Sequence, residues 1–173
     1  ELRQHRHHLE ELVKERTTAL TDANRQLQQE VGERKRNETI MATRLRLMTL
    51  AQSQTLEQLL RATLDEAEKI TGSCIGFYHF LEADQNTLSM QAWSTNTIEN
   101  LCKARAAGEH HAIAEAGVWA DPVRLQRPVI YNNYPSLPHK RGTPLGHAEV
   151  IRLLIVPVSR GGRSVAIVGV GNK

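Results

Sequence analysis

Residues 1–71 contain a single glycine, Gly32, no proline and no aromatic residue, whereas all seven aromatic side chains fall between Phe77 and Tyr134. Nothing in the first stretch obliges a helix to stop. That break in composition divides the chain into a long charged helix and a compact module. The module has about 120 residues, near the usual size of one domain with its own core.

From Leu9 the apolar positions recur in alternating steps of four and three: Leu9, Val13, a polar Arg16, then Leu20, Ala23 and Leu27. This is a heptad seam, too narrow to bury itself except against another helix. Most helical stability in water comes from a packed face and not from length. The seam therefore predicts a parallel two-stranded coiled coil, and so a homodimer, over residues 1–52. Glu10 with Lys14 and Glu30 with Arg34 stand four apart, acid first, and should support the exposed face weakly. Arg16, and then Glu30, Arg34 and Glu38 along its continuation, weaken the seam. Val31 lies one place off its register before it resumes through Met41, Leu45 and Met48. A seam flawed in this way suits a dimer that changes state. The alternative is a plain charged helix in water.

Formal net charge is only +3, with ten Lys/Arg against eight Asp/Glu in residues 1–46 and twelve against eleven beyond them. So thin an excess marks no nucleic-acid surface. The one basic run, Arg34-Lys35-Arg36, has Glu33 and Glu38 beside it and reads as a solvated face. No run approaches the length of about 18 apolar residues that a membrane helix needs, and no secretory leader is recognisable. The helical start and the apolar strand at the end read as a piece cut from a longer protein. Cys74 and Cys102 show no CxxC spacing, which predicts reduced thiols and a cytoplasmic location.

In the module, Leu56, Leu59, Leu60, Leu64, Ala67 and Ile70 fall at helical spacing. Thr55 with Gln58 forms a capping-box pattern, and Gly72 stands where the helix would turn. Two strands follow over residues 74–82 and 87–94, joined by a hairpin at Ala83-Asp84-Gln85-Asn86. Residues 98–104 read as a short helix and residues 111–114 as an extended stretch. Residues 117–126 are a second helical candidate that Pro122 restricts to a first turn or a kink. A strand over 128–131, a long loop over 132–147, and strands over 151–159 and 164–171 complete the chain. Arg160-Gly161-Gly162-Arg163 is the last hairpin turn. The order implies an α+β fold: an antiparallel sheet of five or six strands, helices packed on one face and loops on the other. A sheet roofed by loops is a natural place for a small-molecule cavity.

The segments "GFYHFLEADQNTLSMQAWSTNT", "EAGVWADPVRLQRPVIYNNY", "LPHKRGTPLGH" and "RLLIVPVSRGGRSVAIVGVGNK" resemble GAF domains, the sensor modules found beside histidine kinases and diguanylate cyclases in bacterial signalling proteins. The preceding "LEELVKERTTALTDANRQLQQEVGERKRNE" is similar to the signalling helices that link such modules. The resemblance covers residues 56–173, with the domain set at 53–173. It implies an output domain outside this chain and a C-terminal helix after Lys173, which this chain lacks.

The resemblance raises the cofactors that such modules carry, and each would need particular residues. Cys102 lies where a bilin would attach, but Lys103 follows it where bilin-binding relatives place a histidine. Two cysteines in these positions do not match a methionine-sulfoxide reductase. His110 and His111, as strand neighbours, point to opposite faces. His139 and His147 share the long loop, yet no cysteine or carboxylate nearby completes a metal set. His5, His7 and His8 lie on the rod. There is no GxSxG, P-loop or HExxH pattern, and "GVGNK" ends a strand with its glycines at closely packed positions. The expectation is no enzyme, no metal and no cofactor, with an unidentified small-molecule ligand possible.

The candidate cavity residues are Trp93 and Ser94 at the end of the second strand, Trp119 and Asp121 in the crossover, Tyr131 and Tyr134 after the next strand, and His139 and His147 in the covering loop. Indole and phenol rings combine contact area with a polar tip. The competing assignment for the tryptophans is plain core. Two functional readings follow. In one, a ligand-sensing module passes its state through a dimeric rod. In the other, a ligand-free module serves as a dimerisation spacer. A redox or metal sensor using Cys102 and the loop histidines is a third. A polar-lined cavity favours the first, and a cavity closed by Trp93 and Trp119 the second.

Overall fold

The computed structural model of the chain describes residues 1–101, 110–140 and 148–173. They divide into two compact units, Glu1–Leu45 and Arg46–Lys173. Helix α1 runs unbroken over Leu2–Ser53 with no buried residue. It ends one residue beyond the expected boundary, and residues 46–53 belong to the second unit. There the Arg46 guanidinium pairs with the carboxylate of Glu66, a buried residue of the next helix.

In the first unit the charge pairs differ from those expected. Arg6 pairs with Glu10 at 3.6 Å and Arg34 with Glu38 at 3.0 Å, in place of Glu10–Lys14 and Glu30–Arg34. An exposed carboxylate with bases both four before and four after it chooses between nearly equal partners, each worth a few tenths of a kcal/mol. The seam residues Leu9, Val13, Leu20 and Leu27 are 57–71% exposed.

In the second unit α2 spans Leu56–Thr71. Thr55 and Gln58 form the full capping box, and Gly72 closes the helix at φ +70°. Among the described residues six strands build one antiparallel sheet: β1 Ile75–Leu81, β2 Thr87–Trp93, β3 His110–Ala112, β4 Val129–Tyr131, β5 Leu153–Arg160 and β6 Arg163–Gly171. Their order is β3-β2-β1-β6-β5-β4. Asp84 holds the first hairpin, accepting from the Asn86 and Thr87 amides at 2.9 and 3.0 Å. In the last one Gly161 and Gly162 have φ +59° and +79°, the left-handed pair that a tight two-residue turn requires.

Strand alternation sorts the core into two layers. On one face Leu60 and Leu64 of α2 meet Tyr78, Phe80, Ala92 and Val168. On the other, Phe77, Leu81, Leu88, Met90, Leu153, Ile155 and Ile167 meet Ala116, Val118, Ala120, Val123 and Tyr134 from the segments that cross over the sheet. That second layer holds the helical crossover expected over 117–126 and one further helical turn within the segment expected as a loop. It contains a 3₁₀ turn at Gly117–Ala120, the short α3 at Asp121–Leu125 with Pro122 in its first turn, and a 3₁₀ turn at Tyr134–Ser136. Backbone lying on a core must satisfy its own polar groups, and helical turns do so locally. The expected helix at 98–104 is a π-helical turn at Thr97–Leu101 over its described part.

Candidate functional site

The crossover between β3 and β4 folds around one arginine. Arg124 stands three residues after Asp121 on α3, the spacing that puts two side chains on one helix face. Its Nη1 donates to Asp121 Oδ1 at 2.7 Å and to the Gly117 carbonyl at 2.6 Å, and its Nη2 donates to the Ile113 carbonyl. One guanidinium thus ties together the two ends of the segment and its carboxylate. The second oxygen of Asp121 accepts from the Tyr131 hydroxyl, which arrives from β4.

Beside this knot lies a cleft of about 670 Å³. Ala114, Gly117, Val118, Asp121 and Arg124 line it from the crossover, and Pro138, His139 and Lys140 line it from the loop after β4. Residues 138–140 are the described part of the 132–147 loop that reaches it.

The eight expected site residues separate. Asp121 and His139 line the cleft. Trp119 does not, although its neighbours Gly117 and Val118 do; its ring stacks inward on His79, with centroids 5.0 Å apart and planes at 34°. His79 meets Phe77 edge-on at 5.5 Å, and Phe77 meets Trp93 edge-on at 6.1 Å. Trp93, Phe77, His79 and Trp119 therefore form a line of ring contacts, and both tryptophans are partly buried side chains packed against the core. Tyr134 is buried in the same core, and burial raises its phenol above the ordinary range. Tyr131 acts on the cleft only through Asp121. His147 lies outside the described residues, as do Cys102 and Lys103.

Ser94 belongs elsewhere. It is fully buried on the opposite face, where its hydroxyl meets the carboxylate of Glu68 from α2 and lies 2.7 Å from the Thr97 hydroxyl. The following residues are held in the same way. Thr95 donates twice to Asp65, at 2.7 and 2.8 Å, and the Asn96 amide donates to the Cys74 carbonyl at 2.7 Å. Ser94, Thr95, Asn96 and Thr97 are thus a fastening of β2 to α2 and not ligand donors. Trp93 meets Phe77 in one layer while Ser94 meets Glu68 of α2 in the other, so one cavity could not receive both.

Arg124 and Lys140 escaped the sequence reading. The Asp121-to-Arg124 spacing within a helical candidate was a usable signal for the first. For Lys140 only adjacency to His139 was available.

Tyr131 permits a direct check. Burial first, then its hydrogen bond to Asp121 and that carboxylate's charge, push its phenol up to about 12. A raised folded value adds stability that is complete below the ordinary value of 10.0 and lost as pH rises through about 12. Tyr131→Phe should cost about 1–2 kcal/mol in neutral urea titrations, the loss of one hydrogen bond to a charged group. It should also flatten the alkaline decline in melting temperature between those two values. A variant as stable as wild type at neutral pH would show that the contact contributes nothing.

Comparison with known proteins places this architecture. Residues 53–173 match the family model described as the GAF domain. The chain belongs to the GAF domain family. The fold of this GAF module is also that of a GAF domain from a phosphoenolpyruvate-protein phosphotransferase of Coxiella burnetii, with TM-score 0.65, 13% identity and 79% of each chain covered. An A. aeolicus GAF domain described as being in an inactive state superposes with TM-score 0.59 at 17% identity, covering 78% of this chain and 79% of that one. In sequence, the chain is 36% identical over 153 residues to the methyl sulfide methyltransferase-associated sensor of Methanosarcina acetivorans. That match takes in 83% of this chain and only 15% of the relative, so the GAF module spans a small part of that protein. Among the described residues no helix is long and apolar enough to cross a membrane.

Proposed function

We propose that this GAF module is a small-molecule sensor within a signal-transduction protein, and that its ligand state passes through a dimeric α1 to an output domain outside this chain. The observation that carries the reading is the cleft between the crossover and residues 138–140, walled by Asp121, Arg124, His139 and Lys140 and not filled by Trp93 or Trp119. A concave site where a few polar groups converge beside apolar walls, here Ala114, Val118 and Pro138, is a form that ligand sites take. The 36% identical relative named as a sensor adds support. The module is regulatory and not catalytic in this reading, and it acts in the cytoplasm. Screening a metabolite library by melting temperature and tryptophan fluorescence tests it: a saturable response lost on Ala114→Phe, which sets a ring from an exposed lining position into the cleft, is expected. A library without effect would leave the spacer reading ahead.

The dimer has its own test. The exposed row of Leu9, Val13, Leu20 and Leu27, with Ala23 between, is a seam of the kind a second helix covers. The 173-residue chain should sediment as a dimer, and removal of residues 1–37 should leave mainly monomer or a far weaker dimer. An equally tight dimer after the deletion would move the interface into the GAF module.

A further inference from the structure

We propose that the cleft takes a small anionic ligand, one whose carboxylate or phosphate oxygens are received by Arg124 and Lys140 while its body lies on Val118 and Pro138. The inference rests on the sensing role of the cleft and specifies the class of molecule sensed.

It follows from counting donors and acceptors on the walls. Among the described lining residues Asp121 is the one carboxylate, and each of its oxygens already accepts one bond, from Arg124 and from Tyr131. Its charge is paired with Arg124, which weakens its pull on a cationic ligand. The donors are not used up. A guanidinium has five N–H groups. Arg124 spends both on Nη1 and one on Nη2, which leaves Nε–H and a second Nη2–H. The ammonium of Lys140 has three and directs one to the Pro135 carbonyl. Among the described lining residues the formal charge is positive before His139 is counted, since Arg124 and Lys140 stand against the single carboxylate of Asp121. Arg124 is held by three fixed oxygens, so its remaining donors are oriented before a ligand arrives. That lowers the ordering cost of binding. A planar carboxylate or a phosphate matches such donors with charge-assisted hydrogen bonds.

The test uses the full chain and a panel of anions headed by inorganic phosphate and succinate, with succinamide as the uncharged counterpart of succinate, all at ionic strength held constant with sodium chloride. Tryptophan fluorescence is a suitable readout because Trp119 sits between two residues of the turn that borders the cleft. A saturable change is expected from phosphate or from a carboxylate of the panel, and the two arms distinguish those sources. Succinamide should have no effect. Lys140→Gln should weaken binding about tenfold or more, and Lys140→Arg should restore most of it. Succinamide binding as tightly as succinate, or Lys140→Gln binding as wild type does, would overturn the anionic class and leave the ligand cleft standing. A panel without any saturable response, while an uncharged library member binds and is lost in Ala114→Phe, would do the same. Failure of the panel and the library together would overturn both readings.

Discussion

Replacing Gly169 by alanine should cost the GAF module about 3 kcal/mol, at the upper end of what forcing one carbon into a packed core does, and lower its melting temperature by about 10 °C. Gly169 stands opposite Phe77 in the β1–β6 ladder, and the Phe77 ring lies flat across it. A Cβ there would come within 2.0 Å of Phe77 Cζ and 2.3 Å of Cε1, well inside contact distance. The ring has little room to withdraw, because it meets His79 and Trp93 edge-on on either side. Urea unfolding followed by tryptophan fluorescence reports on this module alone, since both tryptophans lie in it. In a Phe77→Ala background the glycine substitution should cost less than about 1 kcal/mol, because the obstruction has gone. A Gly169→Ala protein that melts with wild type would mean that the ring does not rest on the strand. The same substitution reaches the site, because the displaced ring is one contact from His79 and two from Trp119.

The second large effect is expected at Ser94. Its hydroxyl donates to Glu68, which leaves its oxygen to accept from the Thr97 hydroxyl, 2.7 Å away. Thr97 in turn accepts from the Gly76 amide at 3.0 Å. The result is a directed chain from a β1 amide through two hydroxyls to a buried carboxylate, each bond polarising the next. Burial is the main influence on Glu68 and raises its carboxyl above the ordinary 4.5; the Ser94 and Thr97 hydrogen bonds pull it back, and the charge of Asp65 adds to the rise. The sign for stability follows. A carboxyl raised by folding contributes stability that is complete below its unfolded value and lost as pH rises through its folded one.

Removing Ser94 takes away a contact that favours the ionised form, so Ser94→Ala should hurt most where Glu68 is charged. We expect a loss of about 3 kcal/mol at neutral pH, the cost of leaving a buried charge without its donor. The loss should shrink as pH falls through the elevated carboxyl value. In a Glu68→Gln background the same change should cost about 1 kcal/mol at every pH. Glu68→Gln by itself should gain on wild type as pH rises. A Ser94→Ala loss that is independent of pH would remove Glu68 from the account. Anion binding in the cleft, on the other face of the sheet, should be unaffected by Ser94→Ala.

The local half of this protein could be read from its residues. Thr55, Gln58 and Gly72 bracketed α2 because caps satisfy orphan backbone groups within a few positions of the helix end. The two hairpins followed from Asp84 and from the Gly161-Gly162 pair because turn chemistry is local as well. The division into rod and module followed from composition, and the two-layered α+β sheet from the order of the elements. Asp121 and His139, two of the residues expected at a cavity, line the cleft, since they lie in segments that run over the sheet.

What the residues did not reveal depended on contacts distant in sequence. Ser94 meets Glu68 across 26 positions, and Tyr131 meets Asp121 across a turn of chain whose path only packing determines. Helical and strand periods name the face of each element but not the partner opposite it. Trp93 and Trp119 have the chemistry of ligand contacts, yet packing placed them against Phe77 and His79, because large rings stabilise more when buried against one another than when left at a cleft wall. Arg124 became the centre of the site for a reason no spacing expresses: three oxygens from separate positions of the crossover converge on one guanidinium only once the sheet has given that segment a surface to fold on.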